Sequence, residues 1–265
     1  MFAITPRVHF AVVGVQKAGT TALFHFLSQH PKIAVPDVKE LHFFDDESRC
    51  WRRPDYRDYL RRFPKHRGRI LGEATPSYIW WPQALERLHA YNPDVKVIAV
   101  FRDPVERAHA HWRMSRALGN DDLDFSTAIR AGRRRLDGIA AMDARRRYFS
   151  YVERGFYGAQ VERLLGIFPR EQVLMLRQDD LANAHHATLG RVFDFLGVER
   201  VPVQPGRIFE GKPAAPVSDA DAIYLAETYA EDLATFTRHS RLDASCWTAA
   251  GAIASAGNTA AALAN

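Results

Sequence analysis

The run with the most chemistry near the start of the chain is Gly14-Val15-Gln16-Lys17-Ala18-Gly19-Thr20-Thr21. Glycines around such a loop let backbone N–H groups close on an anion, and a helix beginning there adds the positive end of its dipole. Thr20 and Thr21 supply hydroxyl donors as well. In the usual phosphate-binding loop a lysine follows the second glycine and precedes Ser or Thr. Here that position is Thr20, and the lysine is Lys17, inside the loop. A lysine so placed is not assigned to β- and γ-phosphates. It can instead reach the oxygen that bridges a 5′-phosphate to a transferable group. Negative charge builds on that leaving phosphate as the bond breaks, so an ammonium there stabilises the transition state most.

Transfer to a neutral hydroxyl also calls for a base. Lys39-Glu40-Leu41-His42-Phe43-Phe44-Asp45-Asp46 offers two, Glu40 and His42. In an extended segment, positions two apart point to one side, so both would face one pocket while Leu41 packs away. Histidine has the better-placed ordinary pKa; a buried carboxylate can be raised to match. The residues alone leave the choice open. Glu73, just before Thr75-Pro76, is a further acid that could line the cleft. Arg102 ends another apolar run, and Asp103-Pro104-Val105-Glu106 after it reads as a helix start with Asp at N-cap, Pro at N1 and Glu at N3. A guanidinium there can grip a phosphate bidentately or form a surface ion pair with Asp103 or Glu106. His109 with His111, and His185 with His186, lack metal-ligand spacing, so no metal is expected.

Positioning these groups takes strands and helices in alternation. The runs 8–15, 69–72, 95–101 and 172–176 read as strands, the first apolar on both faces. Helical patterns fall at 20–29, 82–91, 104–118, 158–168 and 187–196. The predicted fold is α/β, a P-loop-like three-layer arrangement with a mainly parallel central sheet flanked by helices. Ligands then bind at the carboxyl ends of the strands. A single domain is expected over 1–247, with an Ala-rich, flexible tail at 248–265.

The stretches GVQKAGTTAL (14–23), KELHFFDD (39–46), GEATPSY (72–78), VFRDPVERAHAHW (100–112) and, loosely, RGFYGAQVERLLGIFP (154–169) resemble the PAPS-dependent sulfotransferase superfamily, PAPS being 3′-phosphoadenosine 5′-phosphosulfate. Within it they are most similar to heparan sulfate sulfotransferases and bacterial relatives. The resemblance implies that Gln16, Lys17, Ala18, Gly19, Thr20, Thr21 and Ala22 hold the 5′-phosphosulfate end. It implies that Arg102 binds the 3′-phosphate and that Lys212, in Phe209-Glu210-Gly211-Lys212-Pro213, closes over the donor. It favours Glu40 as base, with His42 supporting near the sulfonate. Two positions depart from the pattern: Ala110 stands where a serine usually contacts the 3′-phosphate, and Ala74 where heparan-type enzymes often carry lysine.

The implied reaction is sulfonate transfer from PAPS to a hydroxyl or amine of a carbohydrate or glycosylated small molecule, releasing PAP. A P-loop nucleotide phosphotransferase is the first alternative, opposed by Thr20. The second is a non-catalytic protein that holds PAP-like nucleotides or polyanions. The 265 residues carry a net charge of +5, which suits anionic partners. The two cysteines, Cys50 and Cys246, form no CxxC pair. No apolar run has the length of a membrane span or signal core, so a cytoplasmic location is expected, with no nucleic-acid partner. The arginine-rich segment 49–69 reads as a solvated helix, with Trp51 or Tyr56 as an alternative stacking surface for an acceptor.

Overall fold

A computed structural model describes residues 7–65, 68–206 and 215–251. In chain order its elements are β1 (Phe10–Gly14), α1 (Thr20–Ser28), β2 (Ile33–Ala34), α2 (Tyr56–Leu60), β3 (Ile70–Ala74), α3 (Ala84–Tyr91), β4 (Lys96–Phe101), α4 (Pro104–Ala117), α5 (Phe125–Arg135), α6 (Arg146–Phe149), α7 (Tyr157–Ile167), β5 (Val173–Arg177), α8 (Gln178–Asn183), α9 (His185–Leu196) and α10 (Asp219–Ser240). The chain divides into two compact units: Met1–Phe101 with Leu164–Gly211, and Arg102–Arg163 with Lys212–Asn265.

The first unit holds a five-stranded sheet in the order β2-β3-β1-β4-β5, and its pairings are parallel. From β1 the chain moves one way to β2 and β3, then crosses to the other side for β4 and β5. That reversal opens a crevice beyond the carboxyl end of β1. Phe10 and Val12 of β1, with Ile98 and Val100 of β4, enter a core shared with Leu23, Phe26 and Leu27 of α1 and Val192, Phe193 and Leu196 of α9. Strand alternation sends Ala11, Val13, Val97 and Ala99 to the opposite face, where they too are fully buried. Burial on both faces explains the unbroken apolar runs.

This is the expected P-loop-like α/β fold with a parallel central sheet. The differences are local. The third strand runs to Ala74 rather than stopping at residue 72, and β2, only two residues long, lies below the length at which a pattern shows.

In the second unit α10 escapes sequence reading altogether, because its apolar positions are diluted by Ala, Asp and Thr. Ser218 caps it, accepting from the Asp221 N–H, and Leu225, Tyr229, Leu233 and Phe236 form its buried stripe. Three arginines of the basic clusters at 133–135 and 145–147 serve local structure. Arg135 pairs with buried Asp121 (2.7 Å), Arg145 with Asp143 (2.6 Å), and Arg146 donates to the Ile139 carbonyl (3.1 Å). Beyond Trp247 the described residues continue as a helical turn, and the Thr248 N–H donates to Asp103. Among the described residues no helix is long and apolar enough to cross a membrane, and no group of three or more His, Cys, Asp or Glu could hold a metal ion.

Candidate active site

The loop from Gly14 to Gly19 leaves the carboxyl end of β1 and enters α1, as the sequence predicts. Its two glycines do different work. Gly14 is required by packing: a Cβ there would lie 2.4 Å from Cγ2 of Ile79. Gly19 is required by conformation, with φ +83° at the N-cap of α1. Lys17 is also left-handed, at φ +71°. A side chain held in that region costs of order 1–3 kcal/mol and marks a constrained position. No side chain caps α1, and no acidic residue lies in its first turn. Its leading amides, from Thr20, Thr21 and Ala22, therefore present an N-terminus of positive polarity with no acid of its own first turn against it. Gln178, the first residue of α8, lies against Gly19, 3.2 Å from where a Cβ would stand. It borders the loop, and nothing in its sequence context signals this.

The second cluster is tied to the neighbouring strand. The Glu40 N–H donates to the carbonyl of Ala74, at the end of β3, over 3.0 Å. Topology thus brings Glu40 to the same sheet edge as the loop after β1. The expected extended geometry is not what joins Glu40 to His42: both residues are left-handed, at φ +65° and +50°. Their side chains still meet, with His42 Nε2 3.5 Å from Glu40 Oε2. Lys39 Nζ lies 2.5 Å from Glu40 Oε1. On the far side of the imidazole, Nδ1 is 2.9 Å from Oδ2 of Asp45, whose carboxylate is buried and also accepts from the Ser77 hydroxyl. Asp45 belongs to the same motif, and nothing in the sequence signals this contact. It fixes the ring so that Nε2 faces Glu40, the way a buried acid orients histidine in a hydrolytic triad.

The electrostatics correct one expectation. Burial pushes the Glu40 carboxyl up, but the His42 hydrogen bond and the Lys39 ammonium outweigh it and bring the pKa down to about 2. Glu40 is thus a carboxylate at neutral pH and a weak base while those contacts last.

Glu73 does not line a cleft. It is 1% exposed and accepts from Tyr59 (2.6 Å), Thr75 (2.6 Å) and Tyr78 (3.1 Å). Burial pushes its carboxyl up. Its place is the core beneath the edge, and Ala74 beside it is likewise fully buried. Trp51 and Tyr56 are not open stacking surfaces either. Their rings pack on Phe43, Phe44 and Tyr91, and Arg87 covers Trp51. Among the described residues of the arginine-rich segment only Tyr56–Leu60 is helical, with Arg57 and Arg61 paired to Asp55 and Asp58.

In the second unit Arg102 immediately precedes α4. Asp103 caps that helix and Pro104 stands at its start, as predicted. Glu106 does not return to the cap. It takes the Arg102 guanidinium, with Nε and Nη2 at 3.0 and 2.8 Å. Buried Tyr157 donates to the Arg102 carbonyl over 2.9 Å, fixing the backbone from which the side chain projects. Ala110 lies on α4 with no hydroxyl to offer. Lys212 falls outside the described residues.

A parallel sheet whose first strand feeds an uncapped helix N-terminus through a lysine-bearing loop defines a P-loop-like α/β protein. The match to known proteins narrows this. The sulfotransferase domain matches residues 7–208, and the chain belongs to that family. It is similar to human heparan sulfate glucosamine 3-O-sulfotransferase 6, at 36% identity over 193 residues, covering 72% of this chain and 52% of that protein. With the human 3-O-sulfotransferase 3B1 it shares 34% over 193 residues, covering 72% and 46%. The chain spans about half the length of these relatives. Among solved structures, a sulfotransferase from Alicyclobacillus acidocaldarius superposes with a TM-score of 0.78 at 28% identity, covering 92% of this chain and 99% of that one.

Proposed function

We propose that this chain transfers sulfonate from PAPS to a hydroxyl or amine of a carbohydrate or glycosylated small molecule. One observation carries the reading above all: the open N-terminus of α1, free of any acid in its first turn, entered through a loop that holds Lys17 left-handed. Gln16 to Ala22 cradle the 5′-phosphosulfate. The acceptor oxygen attacks sulfur, the bond from sulfur to the 5′-phosphate oxygen breaks, and Lys17 meets the charge left on PAP. The moving group bears one charge rather than two, so the reading needs no metal. Arg102 binds the 3′-phosphate, exchanging its Glu106 partner for it, and Lys212 closes over the donor.

The acceptor's proton goes to the pair formed by Glu40 and His42. Glu40 takes it when acceptor binding displaces Lys39 and so raises the carboxyl from its low value. The Asp45-held imidazole favours a second reading, in which neutral His42 takes it through Nε2. Residues 1–247 act as one functional domain, the location is cytoplasmic, and no nucleic acid takes part.

The test is labelled PAPS with a panel of sugar and glycoside acceptors. Transfer of label to an acceptor, with stoichiometric PAP, is expected. PAP binding without transfer to any of them would favour the non-catalytic alternative.

A further inference from the structure

Arg102 stands in the two-residue link between β4 and α4, and its guanidinium is paired with Glu106. A phosphate arriving there replaces that partner, so the side chain has to be aimed by its backbone rather than by the ion pair. Two hydrogen bonds from distant parts of the chain fix that backbone. Tyr157, 55 residues further on, donates to the Arg102 carbonyl over 2.9 Å. Thr248, 145 residues beyond Asp103, donates its N–H to Oδ2 of Asp103 over 2.5 Å. The other oxygen, Oδ1, accepts from the Val105 N–H at the head of α4 (2.9 Å). Asp103 is buried. Burial pushes its carboxyl up, and the Thr248 and Val105 contacts oppose the rise.

The two anchors share one footing, Phe236 of α10. The Trp247 ring stacks on it, with centroids 5.5 Å apart and planes 20° from parallel, and the Tyr157 ring meets it at 5.6 Å. Tyr157 and Trp247 also meet edge to face at 6.2 Å. All three rings are buried, as is Ala249. This packing converges on the residue pair 102–103, and the transfer chemistry uses none of it directly.

We infer that Tyr157, Trp247 and Thr248 are positioning residues for Arg102: they hold the 102–103 link so that the guanidinium meets the 3′-phosphate of the donor. They act through Arg102, not by touching the nucleotide. The inference rests on the reading of Arg102 as the 3′-phosphate contact. Paired, directed N–H···O bonds of a guanidinium to a phosphate tolerate little misplacement, so loosening the link should be felt at the 3′-phosphate and not at the 5′ end.

The test compares two nucleotides on the full chain: PAP, by calorimetry, and adenosine 5′-phosphate, which lacks only the 3′-phosphate, by chemical-shift titration. Thr248→Pro removes the donated N–H, Tyr157→Phe removes the hydroxyl and keeps the ring, and Trp247→Ala removes the stack on Phe236. Each should weaken PAP by about tenfold and leave adenosine 5′-phosphate binding unchanged. A merely structural role would shift both nucleotides alike, or neither. Trp247→Phe, which keeps a ring against Phe236, should restore most of the PAP affinity. Added to Arg102→Ala, the same changes should cost nothing further. Parental PAP affinity in Thr248→Pro and Tyr157→Phe, or equal losses for the two nucleotides, overturns the inference even where Trp247→Ala fails to fold. Unchanged PAP affinity in Arg102→Ala removes the 3′-phosphate reading and the inference with it. A loss in Arg102→Ala with parental affinity in the three variants overturns the inference alone.

Discussion

Two stretches at one edge of the sheet are built from the same backbone device and end in opposite electrostatic states. In the loop after β1, left-handed Lys17 and Gly19 turn the chain so that the N-terminus of α1 has no side-chain cap. In the stretch beside β3, left-handed Glu40 and His42 turn the chain so that its charges close on one another, from Lys39 through Glu40 and His42 to Asp45. The first leaves a helix N-terminus of positive polarity without a side-chain cap. The second holds its carboxylate near pKa 2 and must exchange a partner before it accepts a proton. On the proposed reading the first stretch serves the donor and the second, the acceptor.

Replacements should separate the two states by size of effect. Lys17→Ala removes the charge proposed to meet the leaving phosphate, and turnover with labelled PAPS should fall by about a hundredfold or more. Glu40→Gln should lower turnover by a similar order. Near-parental rates in Glu40→Gln would transfer the base to His42. Arg102→Ala should weaken PAP binding by roughly tenfold or more with less effect on kcat, as expected for a charge-assisted phosphate contact. Glu106→Gln releases the guanidinium from its present partner and should tighten PAP a few-fold.

The smallest effect concerns stability. The depressed Glu40 pKa stabilises the folded state above its ordinary value of 4.5, and that stabilisation is lost as pH falls toward about 2. The thermal-stability gap between the parent and Glu40→Gln should accordingly be small at neutral pH, since the carboxylate is part-exposed. It should close across that acid window.

Legibility followed locality. The loop could be read because strand, glycines, lysine and helix lie within about twenty consecutive residues and each has a distinct physical signature. Glu40 and His42 were readable as a pair, but through the wrong geometry: residue types two apart suggested extended alternation, whereas the pairing depends on two positive φ angles that sequence does not announce. Asp45 was three residues from His42, in plain view, yet its role needed the burial that Ser77 and the fold supply. Glu73 is the converse case. Nothing local says that Tyr59, Thr75 and Tyr78 converge on it, and that convergence removes it from the cleft. Helix α10 shows no clear pattern because its core stripe is set among small and polar residues, and tertiary packing makes it a helix.

The most direct measurement is calorimetry of the purified chain with PAP, and with ATP plus magnesium. Micromolar PAP binding without metal is expected, weakened roughly tenfold or more in Arg102→Ala, with no comparable binding of ATP. Tight, magnesium-dependent ATP binding with no affinity for PAP would contradict it, because the loop around Lys17 would then be serving phosphoryl rather than sulfonate transfer.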